Sequence, residues 1–178
     1  MPHPSSGGRG WAALRGIGRY VPPESLIFGG VYGTVLAGAL AAALDEQSGA
    51  PDPGYDALWV LLTALASSAA HGYARVIAAH PPPGRSMTAI AVRSVLAEWP
   101  LTAAVMPTVL LLLTSYAGWW AEVNAVSVAL AFNTVALFFW GLWASRTAGG
   151  RSWPTACRAG GVDMGIGLLI VLVNVLSK

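Results

Sequence analysis

Charged residues are scarce in this chain of 178 residues, because Asp, Glu, Lys and Arg together make up only 10% of it. An average soluble domain carries roughly 25%, so the deficit argues against a soluble enzyme. The hydrophobic fraction of 55% argues against intrinsic disorder. With a net charge of +2 and no run of five basic residues, no nucleic-acid partner is expected. The single cysteine, Cys157, excludes an intrachain disulfide and a cysteine-rich zinc site.

Long apolar stretches are what the chain has instead. The hydrocarbon core of a bilayer is about 30 Å thick and requires about 20 apolar residues in a helix. We therefore predict an all-α polytopic membrane protein, with a partly disordered segment at residues 1–23 followed by a single transmembrane domain at residues 24–178. The five predicted spans are residues 25–44, 57–77, 95–119, 123–143 and 161–176.

Basic residues alternate between the predicted connections. Nine of the ten lie in three segments: before the first span, around the connection between the second and third spans, and between the fourth and fifth. The two other connections, residues 45–56 and 120–122, carry acidic residues and no basic ones. Because positively charged loops stay in the cytoplasm, the pattern predicts a cytoplasmic N-terminus and an external C-terminus. We predict that the protein lies in a bacterial inner membrane.

Small residues recur at every fourth position of the first predicted span. Gly29, Gly33 and Ala37 lie on one face of that helix, and this spacing lets two helices approach closely in a membrane. Two interpretations remain open: the face packs within the chain, or it forms the interface of a homodimer. Gly161 and Gly165 offer a weaker copy of the spacing in the fifth span.

Three acidic residues fall at or inside predicted spans, where charge is costly. Glu24, Glu98 and Asp163 each lie in or near the first turn of a helix that starts on the predicted cytoplasmic side. A carboxylate there can complement the helix dipole, cap free N–H groups, or pair with Arg75 or Arg93. Alternatively, the three acids converge on a cation, for which oxygen ligands suit a divalent metal ion.

His71 and Arg75 share a face of the second predicted span, since they are four residues apart. The histidine is a candidate proton relay near neutral pH and a candidate fourth ligand for such a cation. It is equally well explained as a core histidine bonded to Ser67 or to a carbonyl group.

Two short motifs carry a family resemblance. The segments at residues 28–35, FGGVYGTV, and 66–73, ASSAAHGY, are similar to the first two helices of the vacuolar iron transporter family. The resemblance implies five spans and a homodimer that exchanges Fe²⁺ or Mn²⁺ for protons along a path lined by those helices. The family's intramembrane aspartate falls at Tyr32, its second-helix methionine falls near Ala69, and its cytoplasmic metal-binding insertion is absent. The family's metal ligands therefore do not carry over.

The leading functional prediction is a small transporter or channel for a cation, with proton-coupled divalent cation transport as the case that the resemblance implies. Glu98, Asp163 and Glu24 would bind the cation, His71 would relay protons and Tyr32 would line the pathway. The alternative is a non-catalytic membrane scaffold or subunit that binds a partner through its Gly/Ala helix faces. No nucleophile elbow or phosphate-binding loop is present. We therefore expect that the protein is not an enzyme, although an enzyme acting on a lipid or prenyl substrate stays open. We expect no cofactor other than a bound divalent cation.

Overall fold

The computed structural model describes residues 24–45, 51–78 and 87–177, and within these ranges every regular element is an α-helix. Five of the helices, all except the ten-residue helix Met87–Leu96, are long and apolar enough to cross a membrane. The prediction of an all-helical membrane protein is confirmed at that level. The predicted disordered segment at residues 1–23 lies outside the described residues. The helices are α1 (Glu24–Asp45), α2 (Pro53–Ala78), α3 (Met87–Leu96), α4 (Trp99–Tyr116), α5 (Glu122–Gly149) and α6 (Trp153–Leu176).

Helix α1 lies at the centre of the bundle, where it contacts α2, α4, α5 and α6. A methyl group on Gly33 would lie 2.5 Å from the carbonyl oxygen of Leu101, and one on Gly29 would lie 2.8 Å from the Leu101 nitrogen. Glycine at both positions therefore lets α1 lie directly on the backbone of α4, and Ala37 is fully buried one turn further on. The small-residue face packs within the chain, so it is not exposed to a second copy. The homodimer stays a prediction, but the face of Gly29, Gly33 and Ala37 is not its interface.

The third predicted span, residues 95–119, is not one continuous helix. Helix α3 ends at Leu96 and α4 begins at Trp99, with a turn at residues 97 and 98 between them. Pro100 explains the break, because proline lacks an N–H group and its ring clashes with the carbonyl group four residues earlier. Proline fits well at the start of a helix, and Pro100 occupies that position in α4.

The last helix starts earlier than predicted. Helix α6 begins at Trp153 rather than at residue 161, directly after α5 ends in a left-handed glycine, Gly150, with φ of 58°. Asp163 is therefore ten residues, or about 15 Å, into α6. Its predicted position near the first turn is wrong, because the helix includes the Trp-Pro-Thr-Ala-Cys-Arg segment, which the sequence predicts to be a connection.

Charge separates the two ends of the bundle. One end, called the basic end below, holds the start of α1, α4 and α6 and the end of α2 and α5, since Gly29 packs on Pro100 and Gly141 packs on Asp163. The opposite end holds the contact between Gly54 and Tyr116. The basic end carries Arg75, Arg93, Arg146, Arg151 and Arg158, and the opposite end carries Asp52, Asp56 and Glu122.

Candidate functional site

Glu98 lies in the turn between α3 and α4 and is completely buried, with 0% of its side chain exposed. It is the residue before the first turn of α4, and its backbone carbonyl oxygen accepts a hydrogen bond from the Leu101 N–H at 3.0 Å. Its side chain makes no capping hydrogen bond to the helix. The interpretation of Glu98 as a helix cap therefore does not describe this carboxylate, which points elsewhere.

The Glu98 carboxylate faces Arg75 of α2. The Arg75 Nε atom lies 3.0 Å from Glu98 Oε1, and the Arg75 side chain is 49% exposed. This is one of the two arginine partners that the sequence suggested. The N–H is not aligned with the oxygen, and among the described residues neither carboxylate oxygen has a hydrogen-bond partner. A buried carboxylate is stable only when its ion pairing and hydrogen bonding offset the loss of water, so Glu98 is left incompletely satisfied.

Close packing of α2 against the end of α3 brings Arg75 within reach of Glu98. A methyl group on Gly72 would lie 2.6 Å from the Val95 Cα atom, so only glycine lets the two backbones approach to this distance. One turn earlier, the hydroxyl groups of Ser68 and Thr102 lie 3.0 Å apart in hydrogen-bonding distance. Gly72 was not predicted to be a packing residue. The signal in the sequence was the spacing Ser68-x-x-x-Gly72-x-x-x-Val76. This spacing places all three residues on one face, which is the buried face of α2.

An aromatic cluster of Phe28, Tyr32 and His71 joins α1 to the same end of α2. The Tyr32 and His71 ring centroids are 4.9 Å apart, those of Phe28 and His71 are 5.4 Å apart, and Phe28 stacks on Tyr32 at 5.6 Å. His71 Nδ1 donates a hydrogen bond to the Ser67 carbonyl oxygen at 2.9 Å, which is the bond expected of a core histidine. A neutral His71 then keeps Nε2 as a proton acceptor. Tyr32 and His71, both predicted site residues, are thus in contact.

The other two predicted site residues lie apart from this cluster. Glu24 is exposed at the first position of α1. Asp163 is only partly buried in the α5–α6 contact, where its carboxylate lies against Gly141. Within residues 24–45, 51–78 and 87–177, no three side chains of His, Cys, Asp or Glu are grouped closely enough to hold a metal ion. The structure therefore joins Tyr32 to His71 and Glu98 to Arg75, on adjacent turns of α2, but does not bring the three acids together.

Polar side chains elsewhere in the bundle connect helices to one another. Asn133 of α5 donates from Nδ2 to the Thr108 hydroxyl of α4 at 3.0 Å, and both side chains are buried. Asn174 of α6 donates from Nδ2 to the Ala42 carbonyl oxygen of α1 at 3.3 Å. Such bonds stabilise helix association in a membrane, so these two asparagines have a structural explanation.

Comparison of the chain with protein-family models, with curated proteins and with solved structures found no match in any of the three. The resemblance to the vacuolar iron transporter family therefore stays a prediction that rests on two short motifs. The candidate site has to be interpreted from its own chemistry.

Proposed function

We propose that this protein is a small membrane transporter or channel that moves a cation across the cell membrane, with Glu98 as the group that accepts the proton or cation. The observation that carries the proposal is the state of Glu98. Its carboxylate is fully buried, it meets one arginine at 3.0 Å, and neither of its oxygens accepts a hydrogen bond from the described residues. Ionisable groups inside a membrane bundle are costly, and their usual role is in ion pathways.

The ion pair provides two alternative states for Glu98. In one state Arg75 neutralises the carboxylate. In the other, Arg75, whose side chain is half exposed, turns towards solvent while a proton or cation takes its place. A ligand shifts such an equilibrium only by binding one state better than the other, and the paired carboxylate has little room for a second positive charge. Arg75 would therefore act as the internal competitor of the transported ion.

His71 is the proposed route for protons to this site. It lies one turn before Arg75 on α2, its Nδ1–H is held by Ser67, and its Nε2 atom can take up a proton. Tyr32 packs against the His71 ring at 4.9 Å, and its hydroxyl group can both donate and accept hydrogen bonds. A proton is the coupling ion best supported, since a divalent metal ion requires more ligands than Glu98 and His71 supply.

The charge distribution supports an orientation. Arg75, Arg93, Arg146, Arg151 and Arg158 lie at the basic end, and the positive-inside rule puts that end in the cytoplasm. The start of α1 would then be cytoplasmic and the end of α6 external. Glu98 and His71 would face the cytoplasmic half of the membrane.

Flux through reconstituted vesicles tests this proposal. Full-length protein in liposomes is given a pH gradient, and the internal pH is followed with a trapped dye, with Mn²⁺ or Fe²⁺ outside in parallel samples. We expect wild-type protein to dissipate the gradient and Glu98→Gln to reduce the rate to that of empty liposomes. The matched control is Glu24→Gln, which removes an exposed acid at the same end. Equal flux in wild type and in folded Glu98→Gln would overturn the proposal.

The outer face of α6 supports a second candidate function, a scaffold or subunit that binds a partner helix. Methyl groups on Gly161 and Gly165 would meet nothing within 4 Å among the described residues, and α6 is the least buried of the five long helices. Replacing Gly165 with Leu would then abolish association with the partner, measured by co-purification from the native membrane, while leaving flux unchanged. Loss of flux without loss of a partner would instead support transport.

A further inference from the structure

A long apolar groove runs along an exposed side of α5. It encloses about 520 Å³ and is lined by Phe132, Val135, Phe139, Trp140 and Trp143, among others. Four of its lining residues also line an adjoining hollow of about 350 Å³ between α1, α4 and α5. Gly30 of α1 leaves the space that the Trp140 indole ring occupies, so the groove has a fixed aromatic wall.

The length of the groove matches one leaflet of a bilayer. Phe132 and Trp143 are eleven residues apart on α5, which corresponds to about 17 Å along a helix. Half of a hydrocarbon core of about 30 Å is about 15 Å. The groove therefore extends from near the middle of the membrane to the interface at the basic end. An acyl chain of one leaflet fits this span.

The groove ends close to Arg146, and the backbone of Arg151 is in contact with that arginine. Arg146 comes one turn after Trp143 on α5, so it continues the same face of the helix. Its guanidinium lies 4.4 Å from the centroid of the Trp153 ring, and its NH1 donates to the Arg151 carbonyl oxygen at 2.7 Å. Among the described residues, the salt bridge joins Arg75 to Glu98, and neither Arg146 nor Arg151 forms an ion pair. Arg146 has five N–H donors, so most of them stay available for an anion.

We infer that this groove binds an anionic phospholipid, with one acyl chain against the aromatic wall and the headgroup phosphate on Arg146 and Arg151. Charge complementarity selects the occupant. The apolar lining accepts a hydrocarbon chain, and Arg146, which has no carboxylate partner among the described residues, lies one turn beyond the groove, where a phosphate of the same lipid would be. Tryptophan rings prefer the interfacial depth at which Trp143 and Trp153 would lie. The site does not depend on the proposed transport activity.

Titration of the purified full-length protein with lipid tests the inference. The protein in a neutral detergent is titrated with phosphatidylglycerol, or with phosphatidylcholine of the same acyl chains, and its melting temperature is followed. We expect half-maximal stabilisation at a lower concentration of phosphatidylglycerol. Arg146→Gln should raise that concentration about fivefold, the contribution expected of one basic residue near an anionic surface. Arg93→Gln, an exposed arginine of α3 at the same end, should leave it unchanged.

A groove-filling variant separates specific binding from a general lipid coat. Val135 in the groove and Leu172 on α6 are each 52% exposed, so Val135→Trp and Leu172→Trp add the same ring at equally open positions. We expect only Val135→Trp to weaken the response to phosphatidylglycerol. Equal responses to both lipids, or equal effects of the two Trp variants, would overturn the inference. Stabilisation by inorganic phosphate alone, to the same extent as by the lipid, would also overturn it.

Discussion

The side of the bundle formed by α1, α2 and α4 differs from the last helix, α6, in how it uses glycine and acidic residues. On the side formed by α1, α2 and α4, glycines lie under a neighbouring backbone and the acid is fully buried beside an arginine: Gly33 on Leu101, and Glu98 beside Arg75. In α6, Gly160 and Gly167 also lie against a neighbouring backbone, but Gly165 faces open space, and Asp163 is only partly buried, in the middle of the helix. The difference indicates that spacing and residue type predict which contacts are possible, whereas the neighbouring helix decides which are made.

The glycine contrast predicts the largest effect. Gly33→Leu should destabilise the protein by about 3 kcal/mol or more, because overpacking a close helix contact forces the backbones apart. Gly165→Leu, which introduces the same side chain on the open face, should change the free energy of unfolding by no more than about 0.5 kcal/mol. Thermal unfolding in detergent measures both. Similar losses in the two variants would contradict the packing of α1 on α4.

The ion pair predicts a smaller effect with a characteristic sign. Arg75→Gln leaves the Glu98 carboxylate buried without a counter-charge, so it should destabilise the protein by about 1–3 kcal/mol. Glu98→Gln should cost less, because Arg75 is half exposed and can turn to water. Adding Glu98→Gln to Arg75→Gln should therefore restore part of the lost stability.

The double-mutant comparison is made by thermal unfolding at several salt concentrations. Arg93→Gln provides the control, since Arg93 is exposed and is also in the basic end. Additive losses in the double variant would show that Arg75 and Glu98 do not interact.

The sequence predicted the broad architecture because its signals are local. A long apolar stretch and the charges beside it can be interpreted from one helix and its flanking residues alone. The structure has five long apolar helices. The helix boundaries were harder. The early start of α6 at Trp153 was hidden by Arg158 and Cys157, which do not look like part of a span. The break before Trp99 was hidden in an apolar stretch, although Pro100 could have indicated it.

The site could be predicted only in part, for a similar reason. Tyr32 and His71 were predicted to lie on the first two spans, and their rings are in contact. Which acids come together depends on how helices rotate and which neighbours they choose. The three acids share a composition and a predicted depth, but Glu24 is at a helix end, Glu98 is in a turn and Asp163 is in a helix interior. Pro100 could have indicated the turn at Glu98, but no pattern within one helix shows which acid meets an arginine.

Replacing Asp163 is expected to change the free energy of unfolding least, which tests the comparison between Asp163 and Glu98. Among the described residues no hydrogen bond or ion pair satisfies its carboxylate, which lies against Gly141 rather than beside an arginine. Asp163→Asn removes a charge and keeps the shape, so the free energy of unfolding should stay within about 0.5 kcal/mol of wild type or increase. If the pathway runs through Glu98 and His71, proton flux in liposomes should also persist in this variant. Abolished flux with normal folding would instead put the pathway along α5 and α6. Asp163 rather than Glu98 would then be the acid required for transport.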